Sequence, residues 1–352
     1  MTVVEPAADD LVLRVPSCAF TTRPPVVRNR ALIPAAALDA MSYAWGSRDY
    51  AARDVTMHRM RDVYVLGEGL VFDRNLTVVR SSITQHSPAE IDAAAVQLQA
   101  AVTAGGIPVL PGVTLLCAKR GAVNYGHWMY EMLPIAWLGR AQLRAGEWRA
   151  LVPWAEGRLA AVIWDALELL RVPRAQVTMA AFTPQRVEEL LIVEGLTAHG
   201  GYISPLVIDC LAELGQEIAP ADAARLWVSR IGDSRSLWNE AELCTVLAGS
   251  GWTVCRPGEM PLREQIALFK GARHIAGVMG AGLTNLAFAA PGARVTSFAP
   301  SMMPEIFFWL LSELCGHDYV EVRSPQAVKQ VGLNEWDGSL VQGLPDILAY
   351  LV

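Results

Sequence analysis

Strand-like and helix-like runs alternate from residue 113 to residue 315, and this predicts an α/β protein with parallel sheets covered by helices on both faces. Two further observations support that class. An apolar run at 274–278 is followed by Gly280-Ala281-Gly282 and a helix-like stretch through Leu283-Thr284-Asn285, the strand–turn–helix order of a doubly wound sheet. The chain has 352 residues, 53% of them hydrophobic and 18% charged, so it has enough apolar surface for two cores.

The elements follow in order. Residues 1–30 carry Pro16, Pro24 and Pro25 and read as an extended arm. From about 52 to 85, β-branched runs separated by Gly67, Gly69 and Asp73-Arg74-Asn75 read as a small antiparallel β element. An Ala-rich helix over 88–103 starts behind Ser87-Pro88. Next come a strand at 113–118, helices at 126–144 and 158–171, and strands at 176–179 and 188–193. Gly200-Gly201 breaks the pattern before a helix at 205–218. A second block begins near 222, with strands at 226–229, 252–255, 274–278 and 294–298. Its helices fall at 239–250, 262–271, 283–289 and 305–315. Two blocks meeting near residue 220 are expected to leave a cleft, a common ligand location.

Composition excludes several classes. A net charge of −6 gives no basic excess for general nucleic-acid binding. The six cysteines are dispersed without C-x-x-C spacing, so they read as free thiols in a reducing compartment. Residues 1–10 have no positive segment followed by an apolar core, and no apolar run reaches the ~18–20 residues of a membrane span. The expected location is the cytoplasm; the apolar stretch 306–311 reads as a core helix and leaves room for peripheral contact with a membrane's inner face.

Candidate site residues cluster at predicted strand ends. Ser229-Arg230 follows the strand at 226–228, with Arg235 nearby, and arginine forks match diphosphate oxygens. The bland alternative is a surface ion pair. Asn239-Glu240 opens a helix, where Glu240 either accepts from ribose hydroxyls or favours the helix N-terminus electrostatically. Gly280 and Gly282 bare the backbone amides of a helix start to a phosphate, or simply make a tight turn. In the first block, His127 and Glu131 are four apart and share one helix face. They suit proton removal from a hydroxyl, a metal pair for which no third ligand stands at metal spacing, or a structural helix pair. Trp128, Tyr130 and Trp137 flank that helix as sugar-stacking faces or core.

Together these segments resemble a known family. Asn124-Tyr125-Gly126-His127-Trp128 with Glu131 and Leu133-Pro134 resembles the N-x-x-H-W-x-x-(D/E)-x-L-P segment of glycosyltransferase family 61. Ser229-Arg230, Arg235 and Asn239-Glu240 resemble its S-R…R-x-x-x-N-E segment. Gly251-Trp252, Pro257, Glu259, Glu264-Gln265-Ile266, Phe269, Ala272 and the 280–285 turn complete the match, in order over about 60–325. The resemblance implies a GT-B-like fold of two Rossmann-like domains facing a cleft, metal-independent inversion at the sugar, and capsular or exopolysaccharide synthesis. Met279 departs from it, because the family commonly has histidine there.

The resulting expectation is an inverting, metal-independent transferase that moves a sugar from a UDP-sugar to a glycan or glycolipid hydroxyl, with no cofactor. The domains are expected as an arm (1–30), an acceptor-side domain (31–220), a nucleotide-sugar domain (221–325) and a tail (326–352) packing back on the first domain. Glu131 and His127 are the catalytic pair, with a closed site raising the Glu131 pKa if it is the base. Asn124, Tyr125 and Trp128 lie on the acceptor side. Arg230, Arg235, Asn239, Glu240, Glu259, Gly280, Ala281, Gly282, Leu283, Thr284 and Asn285 bind the donor. The rivals are a catalytically degenerate carbohydrate- or nucleotide-binding protein and an NAD-dependent oxidoreductase; the latter lacks its third glycine at Asn285.

Overall fold

The computed structural model describes residues 3–7, 10–46, 48–327 and 336–352. The protein is α/β and divides into two compact units, Met1–Cys18 with Ala52–Cys210, and Ala19–Ala51 with Leu211–Val352.

The first unit is built on a nine-stranded mixed sheet. Its parallel half runs in space as Gln185–Glu194, Val109–Leu116, Trp148–Val152 and Val177–Met179. The long strand Arg53–Leu66 pairs antiparallel with Gln185–Glu194 and joins this half to the hairpin strands Leu70–Phe72 and Val78–Val79. The 52–85 segment is thus antiparallel as expected, but it is the flank of a large sheet and not a separate small element. Val63, Val65, Leu116, Leu151, Val187 and Leu190 share one core cluster of this sheet. The helix Pro88–Ala104 packs Ile91, Ala94 and Leu98 against Leu70, Phe72 and Val78. It starts where Ser87 and Glu90 cap each other's backbone amides, a capping box with proline in the first turn.

The second unit has a six-stranded, all-parallel sheet. Thr253–Cys255, Arg225–Val228, His274–Val278, Arg294–Pro300 and Asp318–Ser324 follow the spatial order 2-1-3-4-5 of a doubly wound sheet. Between Arg225–Val228 and His274–Val278 the winding direction reverses, and such a switch point is where open α/β sheets take ligands. The sixth strand, Val26–Arg28, comes from the N-terminal segment.

Three of the expected segments take shape here. Within the expected extended arm, 1–30, Leu11–Ser17 joins the first unit's sheet and Val26–Arg28 the second's. Backbone pairing with a neighbouring strand, rather than burial of side chains, holds each stretch in its sheet: most of their side chains are exposed, and proline is tolerated at such an edge. The helix foreseen at 126–144 is broken into Tyr125–His127, a π-helical turn Trp128–Met132, and the helices Leu133–Leu138 and Arg140–Ala145. The described part of the tail packs within the second unit: Leu340, Ile347 and Leu351 lie in one core cluster with Trp227, Ala276 and Phe298. Residues 328–335 of that tail lie outside the described residues. Among the described residues, no helix is long and apolar enough to cross a membrane. Cys117, Cys210, Cys255 and Cys315 are buried free thiols, and Cys18 is exposed.

Candidate functional site

Each unit gathers one group of the expected residues. In the first, Asn124 accepts from the Gly126 amide through its side chain (2.8 Å), which sets the start of the helical turn carrying His127. His127 Nδ1 then lies 2.6 Å from Glu131 Oε1. The intervening backbone is the π-helical turn, a form enriched at functional sites because it re-aims side chains. Gly121, with φ +89°, lies directly under the imidazole: a Cβ there would stand 2.7 Å from His127 Cδ2 and 3.0 Å from Nε2. Only glycine permits both that backbone conformation and that approach.

Two residues unforeseen from the sequence complete the group. Lys119 Nζ is 3.8 Å from Glu131 Oε2. His199 Nδ1 is 3.7 Å from Oε1, and its ring stacks on that of His127 at 5.4 Å between centroids. Lys119 follows the parallel strand Val109–Leu116, and His199 precedes the Gly200-Gly201 break, so both obey the strand-end and turn signals used elsewhere. His127, Glu131 and His199 offer three ligand atoms within 4.8 Å of one another. The third partner that spacing could not supply is therefore 68 residues further along the chain than Glu131.

The electrostatics of Glu131 run opposite to expectation. Burial pushes its pKa up, but hydrogen bonds from His127 and His199 and the charge of Lys119 outweigh burial and hold it near 2. Glu131 is a fixed carboxylate, suited to orient an imidazole rather than to take a proton at neutral pH. A cavity of about 420 Å³ opens beside it, lined by Arg80, Ser81, Thr84, Lys119, Thr197 and His199 among others. The buried hydroxyls of Ser81, Thr84 and Thr197 have no hydrogen-bond partner among the described residues. Trp128, expected on the acceptor side, is fully buried and belongs to the core. Tyr125 is half-buried at the start of the turn.

In the second unit, the switch point brings the separated motifs together. Val228 and Gly277 are register partners on adjacent parallel strands, so Ser229-Arg230 and Met279-Gly280 leave the sheet side by side. A Cβ on Gly280 would stand 1.8 Å from Arg230 Nη1. Gly280 is extended (φ 171°), so glycine is required there by the guanidinium's approach and not by backbone strain. Glu240, buried, accepts from the Arg230 amide (2.8 Å) and from Trp227 Nε1 (3.2 Å) through one oxygen. It anchors the arginine loop, and its other oxygen has no partner among the described residues. Arg230 Nη2 donates to the Ser234 carbonyl (2.8 Å). Burial and then the neighbouring Arg235 lower the Arg230 pKa, against the opposing pull of Asp233, Glu240 and Asp337. Arg235 sits at φ 64°, 3.7 Å from Asp337.

The remaining expected donor residues are mostly structural. Asn239 donates to the Gln342 carbonyl (3.2 Å) and ties the tail to this unit. Glu259 pairs with Arg256 (2.6 Å) on the surface. The helix expected at 283–289 is a 3-10 helix, Ala281–Phe288. Leu283 and Thr284 are buried, and the Leu283 amide is spent on the Gly280 carbonyl (2.9 Å). Asn285 is fully buried and donates to Gln265 Oε1 (2.9 Å). Ala281 and Gly282 stay half-exposed at the turn. Met279 is fully buried and its amide bonds the Phe298 carbonyl.

A family model, Glycosyltransferase 61, matches residues 125–296, a span that starts at the His127 turn and includes the Arg230–Gly280 pair. This segment, just under half of the chain, is that of glycosyltransferase family 61, and the class of protein it supports is a glycosyltransferase. No curated protein matches the chain.

Proposed function

We propose that this glycosyltransferase is an inverting enzyme that takes its sugar from a nucleoside diphosphate, UDP by preference, and needs no metal for the transfer. The GT-B-like reading assigns acceptor activation to the first unit and donor binding to the second. The observation that carries it is the meeting of Arg230 with Gly280 at the switch point, beside a second cation, Arg235. Two neighbouring arginines at strand ends suit a diphosphate.

In the first unit, Glu131 accepts from His127 Nδ1–H, which leaves Nε2 unprotonated as the base. The acceptor hydroxyl gives its proton to Nε2 while its oxygen attacks the anomeric carbon from the face opposite the diphosphate. The bond to the leaving oxygen breaks, the anomeric centre inverts, and Arg230 and Arg235 stabilise the charge on the departing diphosphate. The partnerless hydroxyls of Ser81, Thr84 and Thr197 beside Glu131 favour a polyhydroxylated acceptor, a glycan or the sugar of a glycolipid.

The test is thermal stability of the EDTA-treated protein with UDP, GDP, CMP or NAD, in the parent chain and in Arg230→Ala. A ligand at a hundred times its Kd adds about 2.7 kcal/mol. A UDP shift that Arg230→Ala loses supports the donor site. A shift with NAD alone overturns the reading. UDP binding without turnover of any UDP-sugar favours a degenerate binding protein, the reading that Met279 in place of histidine supports.

A further inference from the structure

We propose that His127, Glu131 and His199 form a binding site for a zinc-like divalent cation, and that this cation competes with the transfer reaction. Two imidazoles and one carboxylate make the donor set of a catalytic-type zinc site, three protein ligands with a fourth position open. The geometry is close to what zinc requires. Bonds of roughly 2.0–2.1 Å in a tetrahedron set the ligand atoms about 3.3 Å apart. Here Glu131 Oε1 is 2.6 Å from His127 Nδ1 and 3.7 Å from His199 Nδ1, and one ligand atom from each of the three residues falls within 4.8 Å of the others. Opening the first contact by about 0.7 Å and closing the second by about 0.4 Å reaches the tetrahedral spacing.

The surroundings fit as well. Lys119 holds the other oxygen, Oε2, leaving Oε1 for the metal, as outer partners do for ligating carboxylates. His127 is braced by the Gly121 backbone, so one ligand is already fixed. The His199 side chain is 52% exposed, and the cavity of about 420 Å³ beside Glu131 and His199 supplies an entry path and space for a fourth ligand. Hard cations such as magnesium prefer a cage of oxygens, which this set does not provide.

Competition follows from the tautomer. A base acting through Nε2 requires the proton on Nδ1, where Glu131 accepts it. A cation on Nδ1 displaces that proton and requires the neutral ring to carry its hydrogen on Nε2, so a metal-bound His127 has no lone pair left for the acceptor. The cation site itself needs only the three ligand atoms and stands whether or not His127 is the base.

The experiment is thermal stability of EDTA-stripped full-length protein with ZnCl₂ or MgCl₂, without any sugar substrate, in the parent chain, His199→Ala and His199→Asn. Zinc is expected to raise the parent's midpoint by several degrees and magnesium to leave it unchanged. Both variants are expected to lose at least tenfold in zinc affinity, read as the zinc-induced shift from each variant's own metal-free midpoint. An equal zinc response in parent and variants, or none in the parent, overturns the proposal. Because the readout needs no turnover, a chain that transfers no sugar still tests the cation site.

Discussion

His127 and Glu131 show how a local pair acquires direction from its neighbours. Their i, i+4 spacing says that they meet, but not which one takes the proton. The environment decides, because two imidazoles and Lys119 surround the carboxylate and hold it ionised down to about pH 2. Under the proposed reading, His127→Ala lowers kcat by roughly 10²–10⁴-fold. Glu131→Gln, which keeps the shape but loses the charge, is expected to lower kcat less and to leave donor KM unchanged. Initial rates with a UDP-sugar donor check both, and a Glu131→Gln loss as large as that of His127→Ala would reverse the roles.

A second residue-scale prediction concerns His274, which lies against Trp252 at 4.8 Å and bonds Thr296. Burial, with the charges of Arg294 and Arg225, lowers its pKa from 6.5 to about 4. Between these values the unfolded chain binds a proton that the folded chain does not, so stability falls as pH drops from 6.5 towards 4. His274→Gln is expected to flatten this part of a denaturation-versus-pH curve. An unchanged acid limb would remove His274 as its source.

At the scale of elements, the strand–turn–helix at 274–288 is the most legible part of the chain. The strand His274–Val278 and the helix Leu262–Gly271 stand where the apolar pattern places them. The reason for Gly280 was not legible. A glycine before a helix start reads as a phosphate cradle, whereas the structure puts the Arg230 guanidinium against it. Gly280→Ala is therefore expected to push Arg230 aside. It should weaken UDP binding about as much as Arg230→Ala does, with little change in thermal midpoint, since φ at this position is extended and open to any residue. Isothermal titration of both variants checks this, and full UDP affinity in Gly280→Ala would detach the glycine from the donor site. The broken helix at 125–145 was equally hidden, because local periodicity cannot distinguish an α turn from the π turn of Trp128–Met132. Burial hid the fate of Trp128 too: an aromatic on a helix suits a sugar face or a core, and its neighbours choose the core.

At the scale of the whole molecule, the N-terminal segment contributes to both units. Val26–Arg28 completes the second unit's sheet, and helix Ala35–Gly46 sends the fully buried Met41 to Arg323. Residues 211–352 expressed alone would expose the edge of Asp318–Ser324 and the otherwise buried Arg323. That fragment is expected to aggregate or melt well below the full chain, and adding a peptide of residues 19–51 should recover a cooperative transition. Circular dichroism melts with and without the peptide check it, and a fragment as stable as the full chain would make the segment dispensable.

The sequence by itself determined the α/β class and the parallel doubly wound second unit, and it marked the candidate site segments. All of these rest on contacts near in the chain: apolar period, turn residues and capping side chains. The tertiary structure alone decided the joining of Leu11–Ser17 and Val26–Arg28 to two different sheets, the packing of the tail with Trp227, and the meeting of Arg230 with Gly280. It also brought Lys119 and His199 to Glu131, which makes one of the two candidate bases a fixed anion. The physical reason is range. Periodicity reports which face of an element is buried, but a pKa or a ligand set depends on charges a few ångströms away, contributed by residues that may stand anywhere along the chain.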